Sequence, residues 1–220
     1  PLWKKVSKSK QIIPFSAPIH YALKQFTSEV DKKNRNGTLF LPSHSTRVAS
    51  VQFNKEAVIA ELNSLPKKFH PITVCIHWND ITLGLHEYFE NKGFKVVSAG
   101  HITDCNYIFR WLHLISQYKL VVGCGIGSAM FYSALAGTPF YLTQEDAISV
   151  FDEKFQPFNK GGAQYSANAK ARINKLRDVF GTLQPELTKQ QIELANYYTY
   201  GNLIKSPTGL LKSLNSLAKL

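Results

Sequence analysis

What is scarce in this chain narrows it first. Cysteine is rare: Cys75, Cys105 and Cys124 lie far apart, with no CxxC pair. An odd, scattered set supplies neither a disulfide framework nor the paired spacing of a zinc site. The thiols read as small apolar residues of a reducing compartment. No apolar run reaches the roughly eighteen residues of a membrane span. The most apolar stretch, Leu120–Leu142, is broken by four glycines. The opening residues, Pro1-Leu2-Trp3-Lys4-Lys5, lack the continuous apolar stretch of a signal peptide, and no methionine precedes them. On these grounds the chain reads as a fragment or a processed product, placed in the cytoplasm. A Gly-Lys-Ser/Thr triplet and an Asp-x-Asp pair are both missing, so neither a Walker loop nor a carboxylate-bound metal is expected. Negative charge is also short, with 15 acidic residues against 26 basic ones and a net charge of +11.

The basic excess gathers in Lys4–Lys10, Lys32–Arg35 and Lys154–Arg177. Such runs suit phosphate-bearing ligands, nucleic acid or an anionic membrane face. None interleaves aromatics in an RNA-recognition pattern and none forms a helix-turn-helix or finger signature, so nucleic acid is not an expected partner. Peripheral contact with a membrane stays open, and so does the plain alternative of solvated lysines.

Apolar content of 44% with 12% aromatics is that of a folded globular chain. Five short apolar runs read as buried strands: 38–41, 72–76, 94–98, 120–122 and 139–142. Between them, helices are expected from Asn54 to before Pro66, over Leu83–Asn91, Tyr107–Ser116 and Ala129–Ala136. Alternating strands and helices imply parallel strands joined by right-handed crossovers, covered on both faces. The fold class is therefore α/β, a doubly wound, Rossmann-like parallel sheet with C-terminal helices. Residues 1–36 read as a lead-in with a helix over His20–Val30, and residues 37–150 as the nucleotide-binding domain. Residues 151–220 read as a basic loop around Gly161-Gly162 followed by closing helices, Leu187–Tyr198 and Pro207–Leu217.

Ligands of open parallel sheets bind beyond the carboxyl ends of the strands. That rule selects Pro42–Thr46, His77–Asp80, Gly100–Asp104 and Gly123–Ser128, three of which hold a histidine. Gly125, Ile126, Gly127 and Ser128 open a helix, where free amides and the helix dipole favour an anion. A strand–helix turn with a serine cap is the plainer alternative. Ser43, His44, Ser45 and Thr46 offer three hydroxyls and an imidazole for a phosphate, or simply a hydroxyl-rich turn. Gly100 with His101, and His77, sit at strand ends, where an imidazole meets a phosphate or is held by a carbonyl. His77 and Asp80 are weaker candidates for an acid/base pair. Without an acidic cluster beside them, the strand-end histidines give no case for a metal. Trp78, Phe109 and Trp111 offer an aromatic wall or core packing.

The order of these features resembles the C-terminal, donor-binding half of a GT-B type glycosyltransferase of bacterial surface-polysaccharide biosynthesis. The likeness covers about Gly37 to Leu217 and is strongest in LVVGCGIGSAMFYSALAGTPFYL, Leu120–Leu142, where Gly137-Thr138-Pro139 precedes the last strand. The resemblance implies a nucleotide-sugar donor as substrate, no cofactor, a glycan acceptor, and a further N-terminal acceptor domain or partner chain. It implies that the glycine loop holds donor phosphates, that His77 contacts the nucleotide, and that Glu145 or Asp146 grips a ribose or sugar. Trp78 stands where such enzymes carry a proline. Nucleotide-sugar epimerases share the half-domain, so isomerisation is the alternative reaction, and a non-catalytic α/β assembly module the alternative class.

Overall fold

The computed structural model describes residues 14–26, 32–101, 103–151 and 167–217. Five strands form one sheet: β1 (Thr38–Leu41), β3 (Ile72–Cys75), β4 (Lys95–Val97), β5 (Leu120–Gly123) and β6 (Phe140–Leu142). All neighbours run parallel, in the order β4-β3-β1-β5-β6. By chain order within the sheet this is third, second, first, fourth, fifth. The sequence of strands reverses between β1 and β5, which is the switch point of a Rossmann-like, doubly wound fold.

β1, β3, β5 and β6 are sunk in the molecule because both of their faces are covered. Along β1, Leu39 joins one apolar cluster and Phe40 the other; along β5, Val121 and Val122 divide the same way. The face of Phe40 and Val122 is covered by α2 (Lys55–Asn63), through Val58, Ile59 and Leu62, and by α4 (Leu85–Asn91), through Phe89. The opposite face receives α5 (Tyr107–Ser116) and α6 (Ser128–Leu135), through Trp111, Leu112, Ile115, Met130 and Ala134. Local chemistry fixes the ends of these helices. The Asn54 side chain accepts the Ala57 N–H to start α2, and Gly84 at φ 78 separates α4 from the short α3 (Trp78–Thr82).

Further elements depart from the sequence-based expectation. Residues Trp78–Asp80, expected in a loop, open α3, with His77 as its N-cap. β2 (Ala49–Gln52) pairs antiparallel with β7 (Ile148–Phe151) in a separate two-stranded ribbon, where no strand was expected. Within the stretch expected to be polar and irregular, α7 (Ala167–Phe180) is a helix that sends Leu176 and Phe180 into the core. Gly161-Gly162 and the run Lys4–Lys10 lie outside the described residues.

Two closing helices follow, α8 (Lys189–Tyr198) and α9 (Pro207–Leu217). α8 packs on α6 and contributes Leu194 and Ala195 to the core. It also covers the outer edge of β6. The buried Gln191 side chain donates to Phe140 O (2.9 Å) and accepts the Phe140 N–H (3.4 Å), standing in for the missing next strand. The lead-in helix α1 (Pro18–Gln25) is tied to the end of α8. Ile19 is fully buried, Ala17 N–H donates to Thr199 O (3.0 Å), and His20 Nε2 lies 2.7 Å from Thr199 Oγ1. Residues 27–30 of the expected lead-in helix lie outside the described residues.

Candidate functional site

The strand order brings the loops after β1 and β5 together at the switch point. Ser43 N–H approaches Cys124 Sγ (3.4 Å), and Ser43 Oγ fills the space that a side chain at 125 would need. A side chain at 125 would have to displace the Ser43 hydroxyl. Gly127 is different. Its backbone is extended, and a side chain there would meet nothing within 4 Å. The approach to the start of α6 is open at that point. The helix begins at Ser128, no side chain caps its first turn, and the exposed Ser128 hydroxyl has no partner among the described residues. Uncapped amides and an open approach are what an anion requires.

The three strand-end histidines, distant in sequence, form one wall. His44 and His77 stack with ring centroids 4.1 Å apart and planes 23° from parallel. Trp78 lies 5.5 Å from His77 and 4.2 Å from His101, completing a row of four rings. Backbone contacts set two of the tautomers. Nδ1 of His77 accepts the Asn79 N–H (3.4 Å), and Nδ1 of His101 accepts the Thr103 N–H (3.2 Å). Each neutral ring therefore carries its proton on Nε2 as a donor. His44 is oriented oppositely, its Nδ1 lying 3.3 Å from Ser45 O. Burial lowers the pKa of His77, assisted by His44 and His101 and opposed by Asp80. At neutral pH His77 is a neutral donor.

The wall separates two clefts. One, of about 180 Å³, is mainly apolar, with Tyr107, Trp111 and Tyr132 inside and His44, His77 and Ser128 around it. Its Cys75 thiol is pushed up to about 11 by burial and is chemically quiet at neutral pH. The other cleft, of about 420 Å³, is bounded by Ser45, Thr46, Arg47 and Asn79, with all three histidines. Among the described residues, neither has a carboxylate in its lining.

The acidic candidates are committed elsewhere. Asp80 is buried, and both of its oxygens accept the Ser45 N–H (3.1 Å each), pinning the loop after β1 to α3. Glu145 accepts the Asn54 N–H (3.1 Å) at the start of α2, and Asp146 is ion-paired with Arg177 of α7. Asp104 holds Asn106 N–H (2.8 Å) and Arg110 (2.9 Å). Gly100 is needed for that arrangement. Its φ is 89, and a side chain would come within 2.7 Å of the Arg110 guanidinium, which crosses to Ala99 O.

Of the sequence-derived residues, Ser43, His44, Ser45, Thr46, His77, Gly100, His101 and Gly125–Ser128 gather around the crevice. Asp80 holds the loop after β1 and lines neither cleft, Glu145 is bound at the start of α2, and Asp146 is paired with α7. Trp78 and Trp111 line clefts, and Phe109 lines neither. Arg47, Tyr107 and Tyr132 were not picked out from sequence. The spacing Tyr107/Trp111, four apart on one helix, was the available signal. Among the described residues no group of three His, Cys, Asp or Glu is arranged to hold a metal ion. No described helix is long and apolar enough to cross a membrane. Compared with protein-family models, curated proteins and solved structures, the chain matches none.

Proposed function

We propose that this chain is the donor-binding domain of a glycosyltransferase that takes a nucleotide sugar and transfers its sugar to a glycan acceptor. The observation that carries the reading is the chemistry of the crevice. An uncapped helix start, open at Gly127 and Ser128, adjoins an aromatic cleft and a wall of imidazole donors, with no carboxylate lining either cleft among the described residues. A nucleotide needs that combination: apolar ring surface for the base and hydrogen-bond donors, unopposed by negative charge, for the phosphates.

In this reading the base lies against Tyr107, Trp111 and Tyr132. The phosphates meet the α6 amides and the Ser128 hydroxyl. His77 and His101 present Nε2–H groups toward charge that develops on the departing phosphate, and catalysis is electrostatic. The base that activates the acceptor comes from an N-terminal domain or partner chain. The basic surface suits work beside an anionic membrane face. Epimerisation is less well supported, because a carboxylate beside the sugar would have to come from Asp80, Asp104 or Glu145, and each is bound to backbone amides.

Calorimetric titration with CMP, CDP, UDP, UDP-N-acetylglucosamine and GDP tests the proposal. The expected result is selective binding of one nucleotide, weakened about tenfold, or about 1.4 kcal/mol, by Ser128→Ala and by His101→Ala. Equal, weak, salt-sensitive binding of all five would reject it in favour of a non-catalytic basic module. Selective binding untouched by both substitutions would reject the site.

A further inference from the structure

The opposite end of the sheet carries a cleft that the donor reading leaves unexplained. It measures about 620 Å³ and is lined by Arg35, Lys68, Phe69, Lys119, Gly137, Pro139, Pro185, Glu186 and Leu187. Arg35 belongs to the basic run Lys32–Arg35. It is only 8% exposed, an unusual place for a guanidinium without a counter-charge. Nη1 donates to Gly137 O (2.8 Å) and Thr138 Oγ1 (2.9 Å) at the end of α6. Those contacts anchor one edge of the group. Nε is buried with no hydrogen-bond partner, and among the described residues no carboxylate is ion-paired with Arg35. Burial lowers its pKa.

Two further cations converge on the same cleft. The Lys68 ammonium sits 5.0 Å from the centroid of the buried Phe69 ring, which steadies it at the rim. Lys119 stands immediately before β5, its backbone N–H held by Gly37 O (3.0 Å). Neither lysine has an ion-pair partner among the described residues. Three cations face one carboxylate, Glu186, so the lining carries a net charge of +2. A doubly charged group would neutralise it.

We propose that this cleft is a second anion site, built to take a dianionic phosphoryl group between Arg35, Lys68 and Lys119. It is independent of the donor site, because it lies at the amino ends of β5 and β6. The Arg35 guanidinium, fixed by Gly137 and Thr138, supplies a stationary positive charge in the wall of the cleft, and the lysines supply adjustable charge. Glu186 opposes the ligand and weakens binding. The phosphoryl group could be free or the exposed phosphate monoester of a lipid surface.

The test is a titration of the ¹⁵N-labelled chain with inorganic phosphate, followed through backbone amide shifts. Saturable shifts are expected at Lys119, Gly137 and Leu187. The exposed-lysine variant Lys68→Ala/Lys119→Ala should abolish them, while any response at Gly125–Ser128 stays as in wild type. Glu186→Gln should tighten binding several-fold. Absence of saturable shifts around Arg35, or shifts that survive the double substitution, would overturn the proposal. So would a Glu186→Gln variant that unfolds more easily and binds phosphate no better, since Glu186 would then be the internal counter-ion. Vesicles containing phosphatidic acid distinguish the sources: co-sedimentation lost in the double variant assigns a lipid phosphate, and phosphate binding without co-sedimentation assigns a soluble one. A failed nucleotide titration leaves these shifts unaffected, so the two proposals fall separately.

Discussion

At the scale of single residues, the crevice is assembled from side chains that arrive on different strands. Histidines placed directly after apolar runs end up at the crevice because a parallel strand delivers its carboxyl end to one edge of the sheet. Asp80 stood in one of these segments and looked like a partner for His77. It is instead turned under the chain, where both oxygens hold Ser45 N–H. Nothing in the local sequence reports that turn, because the loop it grips is contributed by a different strand. Asp80→Asn is expected to cost about 1.5–3 kcal/mol, the range for a hydrogen bond to a charged group, in chemical denaturation. It should also lower the His77 pKa further, since Asp80 is the influence that raises it. NMR titration of the imidazole checks the second outcome. An unchanged denaturation midpoint with an unchanged His77 titration would mean that Asp80 does not hold the loop.

Among the elements, the strands of the main sheet were legible because they are short apolar runs, four of them covered on two faces, bounded by polar or glycine-rich turns. The ribbon of β2 and β7 was not. Its residues alternate or stay exposed, and Ser50 bonds to Val150, 100 positions away, so neither half carries a local signal. α7 was hidden for another reason. Its surface, Lys170, Arg172, Lys175 and Arg177, is polar enough to read as a basic loop, and the buried stripe is short, made by Ala169, Leu176 and Phe180. Phe180 is fully buried, with ring centroids 6.4 Å from Phe131 and 6.2 Å from Phe140. Phe180→Ala should therefore cost roughly 3–5 kcal/mol, as a large cavity does in a core. A cost below about 1 kcal/mol in urea denaturation would mean that α7 is peripheral to the fold.

For the whole molecule, stability depends on contacts between distant parts of the chain. α1 and α8 meet through His20 and Thr199, and burial lowers the pKa of His20. The unfolded chain then binds protons more readily than the folded one below the ordinary imidazole value of 6.5. The stability from neutral His20 is complete above that value and is lost as pH falls toward the folded pKa. His77 acts in the same direction. Thermal midpoints measured from about pH 8 down to about pH 5 should fall on the acid side, and less steeply in His20→Gln. A variant with the wild-type slope would exclude His20 as a source of that dependence. By itself the sequence determined that the sheet is parallel, that helices cover both faces, and which loops reach its carboxyl edge. These follow from the local periodicity and length of apolar runs, and from the crossover that parallel strands require. The tertiary structure alone decided the order β4-β3-β1-β5-β6. That order puts β1 beside both β3 and β5, stacks His44 on His77, and turns three separate imidazoles into one wall. It also gathers Arg35, Lys68 and Lys119 at the far edge. Pairing of strands distant in the chain is chosen by the packing of the entire core, and no local stretch of sequence encodes it.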